Sequence, residues 1–125
     1  MTRTDAQIAA IVHAVNCAVQ AELGDPAPSQ PWPCETPELR ARTTRGVTRV
    51  RAALKRGLPL EEICREHHEA WCDEMWQAGY TCGDVKDHER LTHPCMVHWR
   101  DLPSAQRDKD RVFTATVMAL TMEAG

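Results

Sequence analysis

Residues 68–103 read HEAWCDEMWQAGYTCGDVKDHERLTHPCMVHWRDLP. This stretch begins on a predicted helix, leaves it at Gly79, and reaches helical sequence again only after Leu102 and Pro103. An irregular segment of this length inside a compact domain is usually either functional or disordered. Its aromatic residues and the helices on both sides argue against disorder. We therefore expect the rest of the chain to be organised around this segment.

Helical periodicity predicts four helices around the segment. The first runs from about Asp5 to Leu23, the second from about Pro37 to Arg56, the third from Pro59 to Gly79, and the fourth begins at Pro103. Thr4 and Gln7 are spaced as a capping box, and Gly24 is a typical helix end. The fold class is therefore mainly α. We predict a single four-helix domain over residues 1–125, with a long irregular loop between helices 3 and 4 that could carry a short β-hairpin.

Apolar residues that recur at helical spacing are the expected core. They are Ile8, Ile11, Val12, Val15 and Val19 in the first helix, Leu39, Val47, Val50 and Leu54 in the second, Leu60, Ile63, Cys64, His67, Trp71, Met75 and Ala78 in the third, and Val112, Phe113, Val117 and Leu120 in the fourth. Between the first two helices lies a proline-rich segment, 25–37, which should run extended. We interpret Trp32 as a peg that packs this segment onto the core, with ligand stacking as the alternative.

Composition excludes several classes of protein. The net charge of −3 at pH 7 argues against general nucleic-acid binding, which needs a basic face. The N-terminus has no signal-peptide pattern, and no run approaches the roughly 20 apolar residues of a membrane span. We therefore expect a cytoplasmic protein with no membrane or nucleic-acid partner. The six cysteines are interpreted as reduced, because Cys17, Cys64 and Cys72 fall on predicted helices as small hydrophobes.

The Cys and His residues could also indicate a metal site or a catalytic site. Cys64, His67, His68 and Cys72 lie within two turns of one helix, and such a helix could share a zinc ion with two loop ligands. No C-x-x-C spacing is present, so we predict no metal. A Cys beside a His could also act as a nucleophile. The chain has no nucleophile elbow, HExxH or phosphate-cradling glycine loop, so we predict no enzyme and no cofactor.

Small-molecule binding fits the central stretch better. It combines the flat side chains of Trp71, Tyr80 and Trp99 with a few polar groups, as ligand pockets do. A row of arginines (Arg42, Arg45, Arg49 and Arg56) follows one face of the second helix. This row is either a solvated face or an anion-binding edge, since guanidinium groups suit phosphate and carboxylate.

Each of these residues also has a structural interpretation. Trp71 could belong to the core. Lys86 and Asp87 could form a local turn or ion pair, and His93 could bond the loop backbone. The residues alone do not decide between these structural roles and ligand binding.

As a linked set, the residues resemble the RyR domain, the repeat module of ryanodine receptors that also occurs in small prokaryotic and phage proteins. That pattern is roughly H-x-x-W, G-W-x-Y-G-x-x-K-D, T-H-P-C-L-V, an aromatic residue, L-P, and a helix with K-D. The matching residues here are His68, Trp71, Gly79, Tyr80, Gly83, Lys86, Asp87, Thr92, His93, Pro94, Cys95, Val97, Trp99, Leu102, Pro103, Lys109 and Asp110. The chain departs from the pattern at Tyr80, where the family has Trp, at Cys82, where it has Tyr, and at Asp84, which replaces a common Pro.

The resemblance covers about residues 60–120 and implies a mostly helical fold. In the receptors the paired module is associated with an adenine nucleotide held by tryptophans, and the matching tryptophan here is Trp71. The resemblance thus implies a non-enzymatic module for a nucleotide-derived ligand, acting as a sensor or a sequestering protein. Because the chain carries one set of motifs where the receptors carry a tandem pair, we expect a homodimer.

The resemblance also suggests roles for individual residues. Trp71 would stack on the base, and Tyr80 or Trp99 would complete the apolar wall. Lys86 or the arginine row, including Arg49, would meet the phosphate. His68 would also contact the ligand. Asp87, His93 and Pro94 would shape the loop. The alternative is a structural or protein-interaction module with no small ligand.

Overall fold

The computed structural model describes residues 2–123. Its helices are α1 (Asp5–Leu23), α2 (Pro37–Lys55), α3 (Leu60–Gln77) and α4 (Ser104–Glu123). Two single-turn 3-10 helices, Trp32–Cys34 and Trp99–Asp101, and two short strands, β1 (Thr81–Cys82) and β2 (Thr92–His93), complete the described elements. The predicted mainly α architecture, with an irregular loop between the third and fourth helices, is confirmed.

Local sequence determines where the helices begin and end. The Thr4 hydroxyl accepts the Gln7 N–H at 3.1 Å, and the Thr4 N–H donates to the Gln7 side chain at 2.8 Å, so the predicted capping box is present. Gly24 ends α1 with φ of 68°, a left-handed conformation that costs a glycine little. At α2 the Thr36 hydroxyl accepts the Leu39 N–H at 3.2 Å, a cap that the sequence analysis did not identify.

The core lies where α1, α2, α3 and α4 meet. Ile8, Val12, Val47, Val50, Ile63 and Val117 are buried there, and Trp32, Leu54, Leu58, Phe113 and Leu120 pack against them. Trp32 therefore acts as the predicted peg. Three predicted core residues are exposed: Ile11 (38%), Val112 (36%) and Ala78. For these three the prediction was wrong.

The buried face of α1 includes His13 and Gln20 but not Ile11, and the proline-rich segment binds both polar side chains. His13 lies with Nε2 2.6 Å from the Gln30 carbonyl. Gln20 bonds Ser29 twice, accepting its N–H at 2.9 Å and donating to its hydroxyl at 3.1 Å. His13 and Gln20 are buried at 4% and 3% exposure. Hydrophobic periodicity alone could not identify them, because their burial depends on backbone partners in the segment that follows.

The two short strands do not form a hairpin. β1 and β2 pair in parallel, with Thr81 opposite Thr92 and Cys82 opposite His93. The chain reverses twice between them, since Asp87 forms an antiparallel bridge with Thr92. Gly83 permits this close pairing, because a Cβ there would lie 2.9 Å from the Cβ of Thr92. The loop is therefore a compact double turn held against the end of α3.

None of the helices within residues 2–123 combines the length and apolar character of a membrane span. All six cysteines are unbonded to one another, and Cys64 is buried.

Candidate functional site

A cavity of about 520 Å³ lies between the four helices and the loop, partly open to solvent. Ligand pockets typically enclose about 300 to 1,000 Å³, so this volume suits a small molecule. Five of the predicted ligand-binding residues line it: Arg49, His68, Trp71, Tyr80 and Lys86. His93, predicted to shape the loop, lines it as well. The structure thus brings together residues that lie up to 44 positions apart in the chain.

Trp71 projects from α3 and is half-buried. The His93 ring meets the indole edge-on, with centroids 4.8 Å apart and planes at 77°. The His68 ring lies nearly parallel to it, at 5.7 Å and 28°. Two imidazoles therefore hold the indole in place, while the residue still contributes to the cavity wall. A rigidly held aromatic ring at a cavity wall is suited to stacking on another flat ring.

His68 and Asp110 are a polar pair in the cavity wall close to Trp71. Nε2 of His68 donates to the Val97 carbonyl at 2.7 Å, which leaves Nδ1 facing Oδ2 of Asp110 at 3.6 Å. Burial raises the pKa of Asp110 to about 7, although the neighbouring Trp99 indole, Lys109 and Arg111 favour its charged form. Burial also lowers the pKa of His68. Near neutral pH the Asp110 carboxyl can therefore both donate and accept hydrogen bonds.

The closest Cys–His contact does not supply an activated nucleophile. The Cys72 sulfur lies 3.4 Å from Nε2 of His68. Burial raises the pKa of the Cys72 thiol to about 11, with Asp110 adding to the effect. A thiol with this pKa stays protonated at neutral pH, and the thiolate is the reactive form. Among residues 2–123, no group of three or more His, Cys, Asp or Glu side chains is arranged to hold a metal ion.

The residues predicted to shape the loop make backbone hydrogen bonds. Nδ1 of His93 accepts the Cys95 N–H at 3.1 Å, and burial lowers the pKa of His93 to about 4, so the ring is neutral at pH 7. The Asp87 carboxylate accepts the N–H groups of Glu89 and Arg90 at 2.9 and 3.1 Å. These bonds hold the pKa of Asp87 below its usual value. Pro94 lies in the turn directly after β2.

Lys86 forms an ion pair that ties the loop to the end of α1. Its Nζ lies 3.1 Å from Oδ2 of Asp25, and each side chain is only 11% exposed. Burial by itself would raise the pKa of Asp25, but the Ala27 N–H and the Lys86 ammonium outweigh it and lower that pKa. The Lys86 charge is therefore already neutralised in this structure. A phosphate contact of Lys86, as predicted, would compete with this ion pair.

The arginine row of α2 divides into residues inside and outside the cavity. Arg42 and Arg49 line it, whereas Arg56 pairs with Glu66 at 3.4 Å on the surface. Oε1 of Glu74 accepts a hydrogen bond from Nε of Arg45 at 2.6 Å. The same oxygen lies 3.5 Å from Nη1 of Arg49. Within residues 2–123, Nε of Arg42, Nε of Arg49 and Oε2 of Glu74 are buried without hydrogen-bond partners. A polar molecule bound in the cavity would supply hydrogen-bond partners for these atoms.

Gly46 sets how closely α2 approaches the cavity floor. A Cβ at this position would lie 3.0 Å from Cε1 of His67 and 3.4 Å from Cζ of Phe113. The His67 and Phe113 rings stack with centroids 4.2 Å apart, directly beneath the glycine. Burial lowers the pKa of His67 to about 3, so this ring is neutral and packs as part of the protein interior.

Trp99 lies outside the set of cavity-lining residues. Arg107 and Arg111 cover its ring at 5.7 and 5.4 Å from the centroid. Of the two predicted candidates for the second apolar wall, Tyr80 is the one that lines the cavity. Its hydroxyl is hydrogen-bonded to Nδ1 of His88 at 2.8 Å.

Five charged residues of the wall were missed as candidate site residues: Glu35, Glu38, Glu74, Lys109 and Asp110. Lys109 and Asp110 had been noted only as part of the family resemblance. The sequence did indicate Lys109 and Asp110, because both lie on the helix that follows the loop and that helix was expected to face it. Glu74 lies one turn after Trp71 on α3, which places it on the same helix face.

Residues 54–125, more than half of the chain, match the family model for the RyR domain. The chain belongs to the RyR domain family. The matched segment contains α3, the loop and α4, and therefore His68, Trp71, Tyr80, Lys86 and His93. Arg42 and Arg49 precede it. The cavity of this RyR domain is thus built partly from the family segment and partly from α1 and α2.

Proposed function

We propose that this RyR domain is a non-enzymatic binding module for a nucleotide-derived ligand, acting as a sensor or a sequestering protein. The observation that carries the proposal is the 520 Å³ cavity, whose wall holds Trp71 together with Arg42 and Arg49. A base stacked on an aromatic side chain gains about 1–3 kcal/mol. Guanidinium groups bind phosphate through charge-assisted hydrogen bonds. One cavity therefore offers partners for both halves of a nucleotide.

Neighbouring residues add polar contacts for the ligand. Tyr80 contributes the second aromatic wall, and the Asp110 carboxyl and Oε2 of Glu74 offer hydrogen-bonding atoms for base or ribose groups. His68 and His93 position the Trp71 ring through the contacts described above. The protonated state of Cys72 supports binding rather than nucleophilic catalysis.

A thermal-shift screen tests the proposal. The panel contains adenine nucleotides, cyclic oligonucleotides, NAD and ADP-ribose derivatives, with inorganic phosphate as the control for non-specific anion effects. A ligand at a hundredfold its dissociation constant adds about 2.7 kcal/mol of stability. For a domain of this size we expect a rise in melting temperature on the order of ten degrees. A flat response to every nucleotide would contradict the proposal.

A structural or protein-interaction module with no small ligand is the second candidate. The observation that favours it is Trp76, whose side chain is 54% exposed on α3 although tryptophan is an anchor residue in many interfaces. A flat ligand screen together with strong destabilisation by Trp71→Ala would favour this candidate.

A homodimer is part of the proposed function. The chain carries one set of the RyR motifs, and a second copy would replace the tandem partner by two-fold symmetry, the commonest closure. We expect a dimer mass in light scattering at tens of micromolar protein. A monomer mass at that concentration would contradict the homodimer without affecting the ligand proposal. A cytoplasmic location, with no membrane or nucleic-acid partner, remains a prediction.

A further inference from the structure

We infer that the corner of the cavity formed by Arg42, Arg49 and Glu74 binds the ribose and the phosphate of a nucleotide together. A ribose hydroxyl donates to Glu74, and the phosphate lies on Arg42. The cavity therefore selects ribonucleoside phosphates over their deoxy counterparts. This inference rests on the proposed function and narrows its ligand class.

The corner is built from one face of α2 and the C-terminal half of α3. Arg42, Gly46 and Arg49 follow one another at intervals of four and three residues, so they share one face of α2. Gly46 lets this face pack closely on α3, since a Cβ there would lie 3.0 Å from an α3 side chain. Glu74 lies three residues after Trp71, so these two side chains are neighbours on α3. All five residues line the cavity.

The Glu74 carboxylate has one oxygen without a partner. Its Oε1 accepts a hydrogen bond from Nε of Arg45 at 2.6 Å and lies 3.5 Å from Nη1 of Arg49. Its Oε2 is buried and has no hydrogen-bond partner among residues 2–123. Two arginines already compensate the charge, so Oε2 lacks a hydrogen-bond donor rather than a cation. A hydroxyl is such a donor, and the broad terminal torsion of a glutamate lets the carboxyl turn toward it.

Arg42 lacks an acceptor instead of a donor. Its Nη1 contacts the Met75 sulfur at 3.4 Å, and a thioether is only a weak acceptor. Its Nε is buried without a hydrogen-bond partner in the described part of the chain. No carboxylate oxygen of residues 2–123 lies within 4.0 Å of its guanidinium group. A phosphate oxygen is the acceptor that this group is missing.

Arg42 differs in this respect from the other cations of the cavity wall. Each of the others acts on at least one carboxylate: Arg49 on Glu74, Lys86 on Asp25, and Lys109 on Asp25 and Asp110. A ligand phosphate at any of these three would compete with a carboxylate of the protein. At Arg42 it displaces only a thioether contact. The phosphate is therefore assigned to Arg42.

The two missing partners together define the group that fits the corner. A phosphate alone would satisfy Arg42, but it brings no hydroxyl donor for Glu74 and adds negative charge beside a carboxylate. A sugar alone would satisfy Glu74 and leave Arg42 without an anion. A ribose that carries a phosphate supplies the donor and the acceptor in one ligand.

The corner is also close to the residue proposed to stack on the base. Glu74 and Met75 follow Trp71 by three and four residues, a rise of about 4.5–6 Å along α3. Arg42 reaches the same level of the helix through its contact with Met75. A nucleotide whose base lies on Trp71 can therefore place its adjoining sugar and phosphate in the corner.

Isothermal titration of the unmodified protein tests the inference. The probes are AMP and GMP, each with its 2′-deoxy and 3′-deoxy form. We expect binding of AMP or GMP, and a loss of about ten- to hundredfold in affinity when one of the two hydroxyls is removed, because Oε2 of Glu74 then stays unpaired. The hydroxyl whose removal weakens binding is the one that donates to Glu74.

Two variants and a matched control assign the effect to this corner. Glu74→Met removes the acceptor, so the ribose and deoxy forms should bind with equal affinity. Arg42→Gln should weaken both forms alike, about tenfold, because it acts on the phosphate. Glu69→Met is the control, since Glu69 lies on the same helix and pairs with Arg65 at 2.9 Å but does not line the cavity. It should leave the preference for ribose unchanged.

The outcomes separate the inference from the proposed function. Equal affinity of the ribose and deoxy forms would overturn the inference and leave the proposed function standing. A preference for ribose that survives Glu74→Met would also overturn it, because another residue would then hold the hydroxyl. If neither AMP nor GMP binds but the thermal-shift screen finds another nucleotide, the inference alone fails. No binding together with a flat screen would overturn both.

Discussion

Replacement of Trp71 by alanine should weaken nucleotide binding by on the order of a hundredfold while the protein remains folded. The expected loss combines base stacking with the removal of one wall of the cavity. Trp71 is only half-buried, and its described ring contacts are to His68 and His93 rather than to the hydrophobic core. We therefore expect a smaller loss of stability than the 3–5 kcal/mol typical of a fully buried tryptophan.

Titration calorimetry and thermal unfolding of the same preparations provide the test. Trp76→Ala is the matched control, because Trp76 lies on the same helix, is 54% exposed and does not line the cavity. Trp71→Phe should retain part of the affinity, since a smaller ring still stacks. Unchanged affinity of Trp71→Ala would refute the stacking role.

Replacement of Lys86 by methionine should lower the free energy of unfolding by about 2–3 kcal/mol. Asp25 would keep its bond to the Ala27 N–H but would lose its ion-pair partner, with Lys109 the remaining cation that favours its charged form. The loop would also lose its direct ion pair to the end of α1. Chemical denaturation of the variant measures the change.

A double-mutant cycle separates this structural role from ligand binding. Asp25→Asn combined with Lys86→Met should recover part of the stability, because the unpaired charge is then absent. Arg90→Met is the control, since Arg90 is 86% exposed and lies 3.9 Å from Asp87, so the substitution should cost almost nothing. If Lys86→Met left stability unchanged but weakened nucleotide binding, Lys86 would act as a phosphate ligand and the expected structural role of its ion pair would be refuted.

Much of the fold could be predicted because it depends on local sequence. The capping box at Thr4, the glycine at Gly24 and the proline that precedes α3 fix helix ends within a few residues of the chain. The parallel pairing of β1 and β2 could not be predicted, since it depends on two reversals within the loop and on the contact of Gly83 with Thr92. The burial of His13 and Gln20 could not be predicted either, since it depends on hydrogen bonds to Gln30 and Ser29 in the proline-rich segment.

The candidate site was predictable in part. Trp71, Tyr80, His68 and Arg49 were singled out from residue type, helix position and family resemblance, and the structure places all four at one cavity. Lys86 shows the limit of that reasoning, because nothing near it in sequence indicates that Asp25, 61 positions earlier, neutralises it. That Arg42 and Lys109 line the same cavity also required the tertiary structure, since they lie on α2 and α4.

A crystal structure of the complex with the most stabilising nucleotide of the screen would test the central claim most directly. We predict that the base lies against the Trp71 indole inside the cavity, with phosphate oxygens within hydrogen-bond distance of Arg42 or Arg49. A nucleotide bound outside the cavity, with no contact between its base and the Trp71 indole, would contradict the claim.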